Sequence, residues 1–160
     1  HIVEEMASFG TAYVTVTGGE PLAQPNCLPL LKELCDRGYQ VSLETSGAMP
    51  VDEVDSRVSI VLDLKTPASA ESHRNHWDNI ALLATKDQVK FVICDEKDYL
   101  WSKARLEQYQ LHDRVSDVLF SPSHGELPGA VLADWILRDR LPVRMQLQLH
   151  KYLWGNEPGR

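Results

Sequence analysis

Apolar, β-branched runs recur six times along the chain, separated by segments of helical period, and this alternation constrains the fold more than any other feature. A strand, a helix and a second strand in that order form a parallel pair, because the crossover carries the chain back to the same end of the sheet. The runs are Tyr13 to Thr17, Gln40 to Thr45, Val58 to Leu64, Val89 to Cys94, Val115 to Phe120 and Val143 to Leu149. Between the first two, Cys27, Leu28, Leu31, Leu34 and Cys35 fall at helical spacing, with Asn26 as a cap, Pro29 in the first turn and Gly38 as a left-handed stop. Trp77, Ile80, Ala81 and Ala84 repeat as one buried helix face. Asp95 caps a further helix running to about Gln110, and Val131, Leu132, Trp135 and Ile136 mark the last. Short connections and the lack of any low-complexity segment predict one α/β domain over residues 1–160, built on a largely parallel sheet.

The polar positions of the strands say where a site belongs. Successive side chains alternate faces, so a polar residue on an inner face needs a reason. In the second run Val41 and Leu43 share one face and Ser42, Glu44 and Ser46 the other. In the third, Asp63 and Lys65 oppose Leu62 and Leu64; in the last, Val143, Met145, Leu147 and Leu149 alternate with Arg144, Gln146, Gln148 and His150. Parallel βα folds carry their ligand sites at the C-terminal strand edge, where Thr17, Glu20, Glu44, Ser46, Asp63, Lys65 and His150 would converge. For each residue alone, a solvated strand end explains the polarity equally well. The first βα turn reads Thr17-Gly18-Gly19-Glu20-Pro21. Its paired glycines let the backbone approach a ligand closely, and Glu20 offers a carboxylate suited to an ammonium group. Neither a GxGxxG nor a GxxxxGK[ST] phosphate pattern accompanies it.

Composition excludes several function classes. Lys and Arg number 16 against 23 Asp and Glu, a formal charge of −7, which argues against non-specific nucleic-acid binding because no basic run is present to neutralise phosphates. No apolar stretch approaches the roughly 18 residues of a membrane helix, and His1 to Met6 lack the features of a signal peptide. The expectation is a soluble, cytoplasmic protein without a membrane or nucleic-acid partner. The chain opens without Met, and His1 already sits inside a helical pattern, HIVEEMASFG, which suggests a segment of something longer. Cys27, Cys35 and Cys94 are odd in number and too widely spaced for a CxxC site or a disulfide framework.

Thr17-Gly18-Gly19-Glu20-Pro21 resembles the GGEP motif of radical S-adenosylmethionine enzymes. Glu44-Thr45-Ser46-Gly47, Asp63-Leu64-Lys65-Thr66-Pro67 and the ending Gln148-Leu149-His150-Lys151-Tyr152-Leu153-Trp154-Gly155 narrow the resemblance to the 7-carboxy-7-deazaguanine synthases, over about Ala12 to Gly155. The resemblance implies an incomplete (β/α) barrel, of which this chain is the C-terminal part. It further implies a queuosine-pathway lyase that rearranges 6-carboxy-5,6,7,8-tetrahydropterin to 7-carboxy-7-deazaguanine with loss of ammonia. A reduced 4Fe-4S cluster would cleave S-adenosylmethionine to a 5′-deoxyadenosyl radical that takes a substrate hydrogen, Mg²⁺ would assist ring contraction, and an external donor such as flavodoxin would supply the electron. By motif position Thr17, Gly18, Gly19, Glu20, Glu44, Ser46, Asp63 and Lys65 would bind cofactor, and Gly19, Ser121 and His150 substrate. The resemblance also implies a homodimer, formed partly by Lys151 to Gly155.

One departure stands out. The family holds its cluster with three cysteines ahead of GGEP, and no cysteine precedes Cys27, so the chain alone would lack the cluster and be inactive. All three cysteines read as small buried or half-buried residues. Two other readings remain: a different radical S-adenosylmethionine activity sharing GGEP, and a non-catalytic binding module on the same scaffold. His73, His76 and His112 have no partner at metal spacing and read as solvated helix residues; His124 falls in a loop after the fifth run. No residue is assigned as a metal ligand or as a catalytic group of the chain.

Overall fold

The computed structural model describes residues 2–155, without the side chains of His150 and Tyr152. Six parallel strands form one sheet in the order of the sequence: β1 Tyr13–Val16, β2 Gln40–Thr45, β3 Ser59–Asp63, β4 Gln88–Ile93, β5 Asp117–Pro122 and β6 Arg144–Met145. The helices are α1 Ile2–Ala7, α2 Cys27–Asp36, α3 Asn79–Leu82, α4 Glu96–Gln108, α5 Leu111–Arg114, α6 Gly129–Asp139 and α7 Leu149–Trp154. β1 and β6 pair on one side only, so the sheet stays open between them and forms an incomplete barrel.

Alternation sorts the strands into an apolar and a polar face. Val41, Leu43, Ile60, Leu62, Val89, Phe91, Ile93, Val118 and Phe120 are buried on the helix-covered face. They divide into a larger core, with Tyr99, Leu106, Leu132 and Ile136 from the helices, and a smaller one with Cys27, Leu31, Leu34 and Cys35 from α2. Burying such side chains supplies most of the driving force for folding, at roughly 1.5–3 kcal/mol each. The opposite face carries Thr15, Ser42, Glu44, Asp63, Gln88, Lys90 and Asp117, and it is here that the site forms.

Several expectations need correction. The last strand does not run from Val143 to Leu149: after Met145 only the Gln146 N–H still bonds to β5, at Phe120 O (3.0 Å), and the chain then turns into α7. An edge strand has no neighbour on its outer side to bury against, and Leu147 and Leu149 are exposed rather than inward. The Trp77 to Ala84 pattern yields only the single turn α3; Ile80 is buried, whereas Ala81 and Ala84 are exposed. Asn26 stands at the start of α2 but makes no side-chain cap, unlike Asp95, whose carboxylate accepts from the Asp98 N–H at 2.9 Å. The fifth strand lies two residues later than expected at both ends, because Val115 closes α5 through its N–H to Leu111 O. His1 lies outside the described residues.

Candidate functional site

Gly18 and Gly19 carry the chain out of β1 with φ of +108° and +60°. A Cβ at either position would meet nothing within 4 Å, so the requirement for glycine is conformational: few other residues adopt this backbone without strain. Glu20 then ties the turn to the end of β2. Its Oε1 accepts from the Leu22 N–H (3.1 Å) and the Thr45 hydroxyl (2.8 Å); its Oε2 accepts from the Ser46 N–H (2.9 Å) and the Ser46 hydroxyl. Thr45 sits on the apolar face of β2 and is 1% exposed, so its hydroxyl reaches Glu20 from the core.

A cavity of about 520 Å³ opens beside this clasp, lined by Gly19, Glu20, Ser46, Met49, Lys65 and Arg74 among others. Lys65 donates to Asp63 Oδ2 at 2.8 Å, half-buried with it. Beyond the last residue of β3, the Asn75 amide completes the hydrogen bonding of the chain: its Oδ1 accepts from the Lys65 N–H and its Nδ2 donates to the Lys65 carbonyl, both at 2.9 Å. A side chain thus stands in for a strand and holds Lys65 at the rim.

On the other side of the glycine turn, a second cavity of about 440 Å³ occupies the polar face, lined by Thr17, Gly18, Glu44, Lys90, Ser121, Gln146 and the residues that follow it to Leu149. Lys90 faces Glu44 at 3.8 Å and stands abreast of Asp63 on β3. Lower on the same face Asp117 accepts from Gln88 (3.1 Å) and Arg144 (3.3 Å), closing the far end with a polar chain. Three side-chain atoms on this face, Asp63 Oδ1, Ser121 Oγ and Gln146 Oε1, are buried without a hydrogen-bond partner.

Of the residues singled out from sequence, Gly19, Glu20, Ser46 and Lys65 line one cavity, Thr17, Gly18, Glu44 and Ser121 the other, and Asp63 lies between them through Lys65 and Lys90. His150 falls in α7 rather than on a strand, and its side chain is outside the described residues. His124 lines a larger hollow of about 650 Å³ between the loop after β5 and the C-terminal segment. Lys90, Thr45 and Asn75 went unread. The strict alternation Gln88-Val89-Lys90-Phe91-Val92-Ile93 marks Lys90 as inner-facing as clearly as it marks Glu44 in β2, and a Thr on the core face of β2 needs a partner for its hydroxyl.

The cysteines do not fit a cluster. Cys27 and Cys35 pack in the core beneath α2, and Cys94 follows β4. Burial raises the thiol of Cys27, with the Glu20 charge adding to the effect, and likewise raises that of Cys35. Burial and a hydrogen bond with Glu126 push Cys94 up to about 11. Thiolate is the form that binds iron, and these surroundings oppose it. Among the described residues no group of three or more His, Cys, Asp or Glu could hold a metal ion. In the native state at pH 7.5 we expect Cys94 to react with 5,5′-dithiobis(2-nitrobenzoic acid) about 100-fold slower than in urea-unfolded chain. A fast native phase from Cys94, identified by mass spectrometry, would contradict the environment described.

Donors and acceptors along the edge also suit S-adenosylmethionine: a glycine turn with accessible backbone, carboxylates for an ammonium and hydroxyls, and an ammonium for a carboxylate. The fold is shared with the crystal structure of QueE from Escherichia coli, at a TM-score of 0.68 and 17% identity over 91% of this chain and 61% of that one. It is shared also with SuiB from Streptococcus suis bound to S-adenosylmethionine, at a TM-score of 0.59 and 13% identity over 92% of this chain and 40% of that one. These two likenesses show the fold, an open six-stranded parallel sheet of partial-barrel type. No protein-family model matches the chain. Curated 7-carboxy-7-deazaguanine synthases do: the Chlorobaculum tepidum protein is 44% identical over 96% of this chain and 71% of its own, and that of Koribacter versatilis 38% over 97% and 74%. The chain belongs to the 7-carboxy-7-deazaguanine synthase family.

Proposed function

We propose that the protein binds S-adenosylmethionine at the Gly18–Gly19 turn and a carboxylated pterin in the inner cavity, and converts 6-carboxy-5,6,7,8-tetrahydropterin to 7-carboxy-7-deazaguanine with loss of ammonia. The observation that carries this reading is the set of buried, unpartnered atoms Asp63 Oδ1, Ser121 Oγ and Gln146 Oε1 on one face. Each such atom costs about 1–3 kcal/mol if left unpaired, a cost that a polar ligand offsets. The names of the relatives, 7-carboxy-7-deazaguanine synthases, support the product, and the substrate and the loss of ammonia follow from the motif resemblance.

Thr17 to Glu20 and Ser46 hold the amino end and ribose of the cofactor. The donors already on Glu20 occupy both oxygens, so an ammonium meets it as a nearby negative charge while the carbonyls of the turn accept directly. Lys65, steadied by Asp63, takes the methionine carboxylate. Glu44 lines the inner cavity with Ser121, which moves it to the substrate side, where a carboxylate accepts from the amino and ring N–H groups of a pterin. Gly19, Ser121 and His150 complete the substrate contacts. Bound and reduced, S-adenosylmethionine supplies a carbon-centred radical able to take a hydrogen atom from the substrate. Neither a 4Fe-4S cluster nor Mg²⁺ is assigned a ligand here: the three cysteines do not fit a cluster, and among the described residues no group of three or more His, Cys, Asp or Glu could hold a metal ion.

The reading includes one domain over residues 1–160 and an external electron donor such as flavodoxin. It also includes a homodimer, supported by the exposed Leu149, Leu153 and Trp154 on α7. No helix of the described residues is long and apolar enough to cross a membrane. Anaerobic incubation of these residues in a form joined to the family's three-cysteine cluster segment, reconstituted with iron and sulfide and given S-adenosylmethionine, reductant, Mg²⁺ and the carboxytetrahydropterin, is expected to generate the deazaguanine chromophore, whereas residues 1–160 alone are expected to bind without turnover. Binding of both ligands without turnover by the joined form would instead indicate a binding module on this scaffold.

A further inference from the structure

Lys65, two residues past the end of β3, and Lys90 on β4 lie on the same polar side, yet only Lys65 has a close partner. Lys65 is locked to Asp63 Oδ2 at 2.8 Å. Lys90 reaches Glu44 only at 3.8 Å, beyond hydrogen-bond length, and no hydrogen bond from a described residue holds its ammonium. Its side chain is 13% exposed and lines the inner cavity, so the half-buried ammonium opens onto that space. An ammonium carries three donors, and one that is half-buried and loosely paired is poised to take an anion. The cavity it enters also holds Ser121 and Gln146, whose Oγ and Oε1 lack partners. Glu44 and Lys90 thus present opposite charges side by side to whatever occupies that space.

Resting on the functional reading above, we propose that Lys90 is the residue that recognises the carboxylate of the substrate and product, and that Glu44 keeps its ammonium in place until that carboxylate arrives. The exchange needs no proton transfer: a 3.8 Å ion pair gives way to charge-assisted hydrogen bonds, and Glu44 is freed to accept from N–H groups of the heterocycle. Lys65 does not serve in its place, since it lines the other cavity, where the functional reading gives it the methionine carboxylate.

Calorimetric binding of two compounds that differ only by the charged group, 7-carboxy-7-deazaguanine and 7-deazaguanine, tests the assignment. The native protein is expected to prefer the carboxylated compound. Lys90→Met should weaken that compound about 10- to 100-fold and leave 7-deazaguanine within about 3-fold, so that the preference collapses. Lys90→Arg should keep the preference. Lys90→Met that lowers both affinities equally, or neither, overturns the role of Lys90 while leaving the functional reading intact, and so does loss of preference in Lys90→Arg. A native protein without preference overturns the functional reading and the assignment with it.

Discussion

Asp98→Ala is expected to lower the free energy of unfolding by about 3–5 kcal/mol, the largest effect of any single polar substitution in the described chain. Asp98 is on α4, fully buried, and it organises the ends of β3 and β4 at once. Its Oδ1 accepts from the Ala68 N–H at 3.0 Å. Its Oδ2 accepts from the Cys94 N–H at 3.2 Å and lies 2.9 Å from the Thr66 hydroxyl, which the Val92 carbonyl shares at 3.0 Å. Removing the carboxylate leaves two part-buried backbone donors and the buried Thr66 hydroxyl without that acceptor and opens a void among them. Asp98→Asn, which keeps one acceptor oxygen, should fall between. Urea unfolding followed by tryptophan fluorescence measures both, and a loss below about 1 kcal/mol for Asp98→Ala would show that the loop carries its own hydrogen bonding. Because Thr66 follows Lys65 directly, the same variant should also weaken S-adenosylmethionine binding.

The second large effect is on Glu20. Glu20→Gln is expected to reduce the affinity for S-adenosylmethionine by about 10- to 100-fold, and Glu20→Ala by more. A glutamine presents an amide NH₂ where Oε1 or Oε2 now accepts, so it faces either the Ser46 N–H or the Leu22 N–H donor to donor, while the Thr45 hydroxyl, 2.8 and 2.9 Å from the two oxygens, keeps the one that remains. It also removes the negative charge beside the glycine turn. Both consequences fall on a segment whose backbone conformation few other residues can adopt, so little local rigidity remains to compensate once the clasp opens. Calorimetry with S-adenosylmethionine reads the loss, and unchanged affinity in Glu20→Gln would place the ammonium elsewhere. Lys32→Ala is a fitting control: its exposed pair with Asp36 on α2 should leave the affinity for S-adenosylmethionine and the urea midpoint unchanged.

Much of the architecture was legible along the chain because burial has a local period. Val41 and Leu43 against Ser42 and Glu44, or Leu62 and Leu64 against Asp63 and Lys65, announce both a strand and its two faces, and the structure keeps each assignment. The glycine pair announces a turn with special backbone, and φ of +108° and +60° follow. The same signal misleads where a strand lacks a neighbour: Val143 to Leu149 alternates as well as any run, but β6 has a partner only at β5 and the chain leaves the sheet after Met145. The pattern at Trp77 misleads for a related reason. Trp77, ahead of α3, packs on Trp101 of α4 and on Tyr109 at the end of that helix, an arrangement that demands proximity rather than helical continuity.

The sequence by itself determined the parallel βα order, the apolar and polar faces of the central strands, and the edge at which the polar strand ends gather, since each follows from residues a few positions apart. Only the tertiary structure decided that Glu20 is a clasp, that Glu44 and Lys90 form a loose pair, and that Asn75 continues the hydrogen bonding past β3. Glu20 and Thr45 are separated by 25 residues, Lys65 and Asn75 by 10, and Lys90 comes abreast of Asp63 only through the register of β3 on β4. Periodicity records which way a side chain faces, whereas its partner is set by how neighbouring strands are aligned, and that alignment is fixed by packing across the whole sheet.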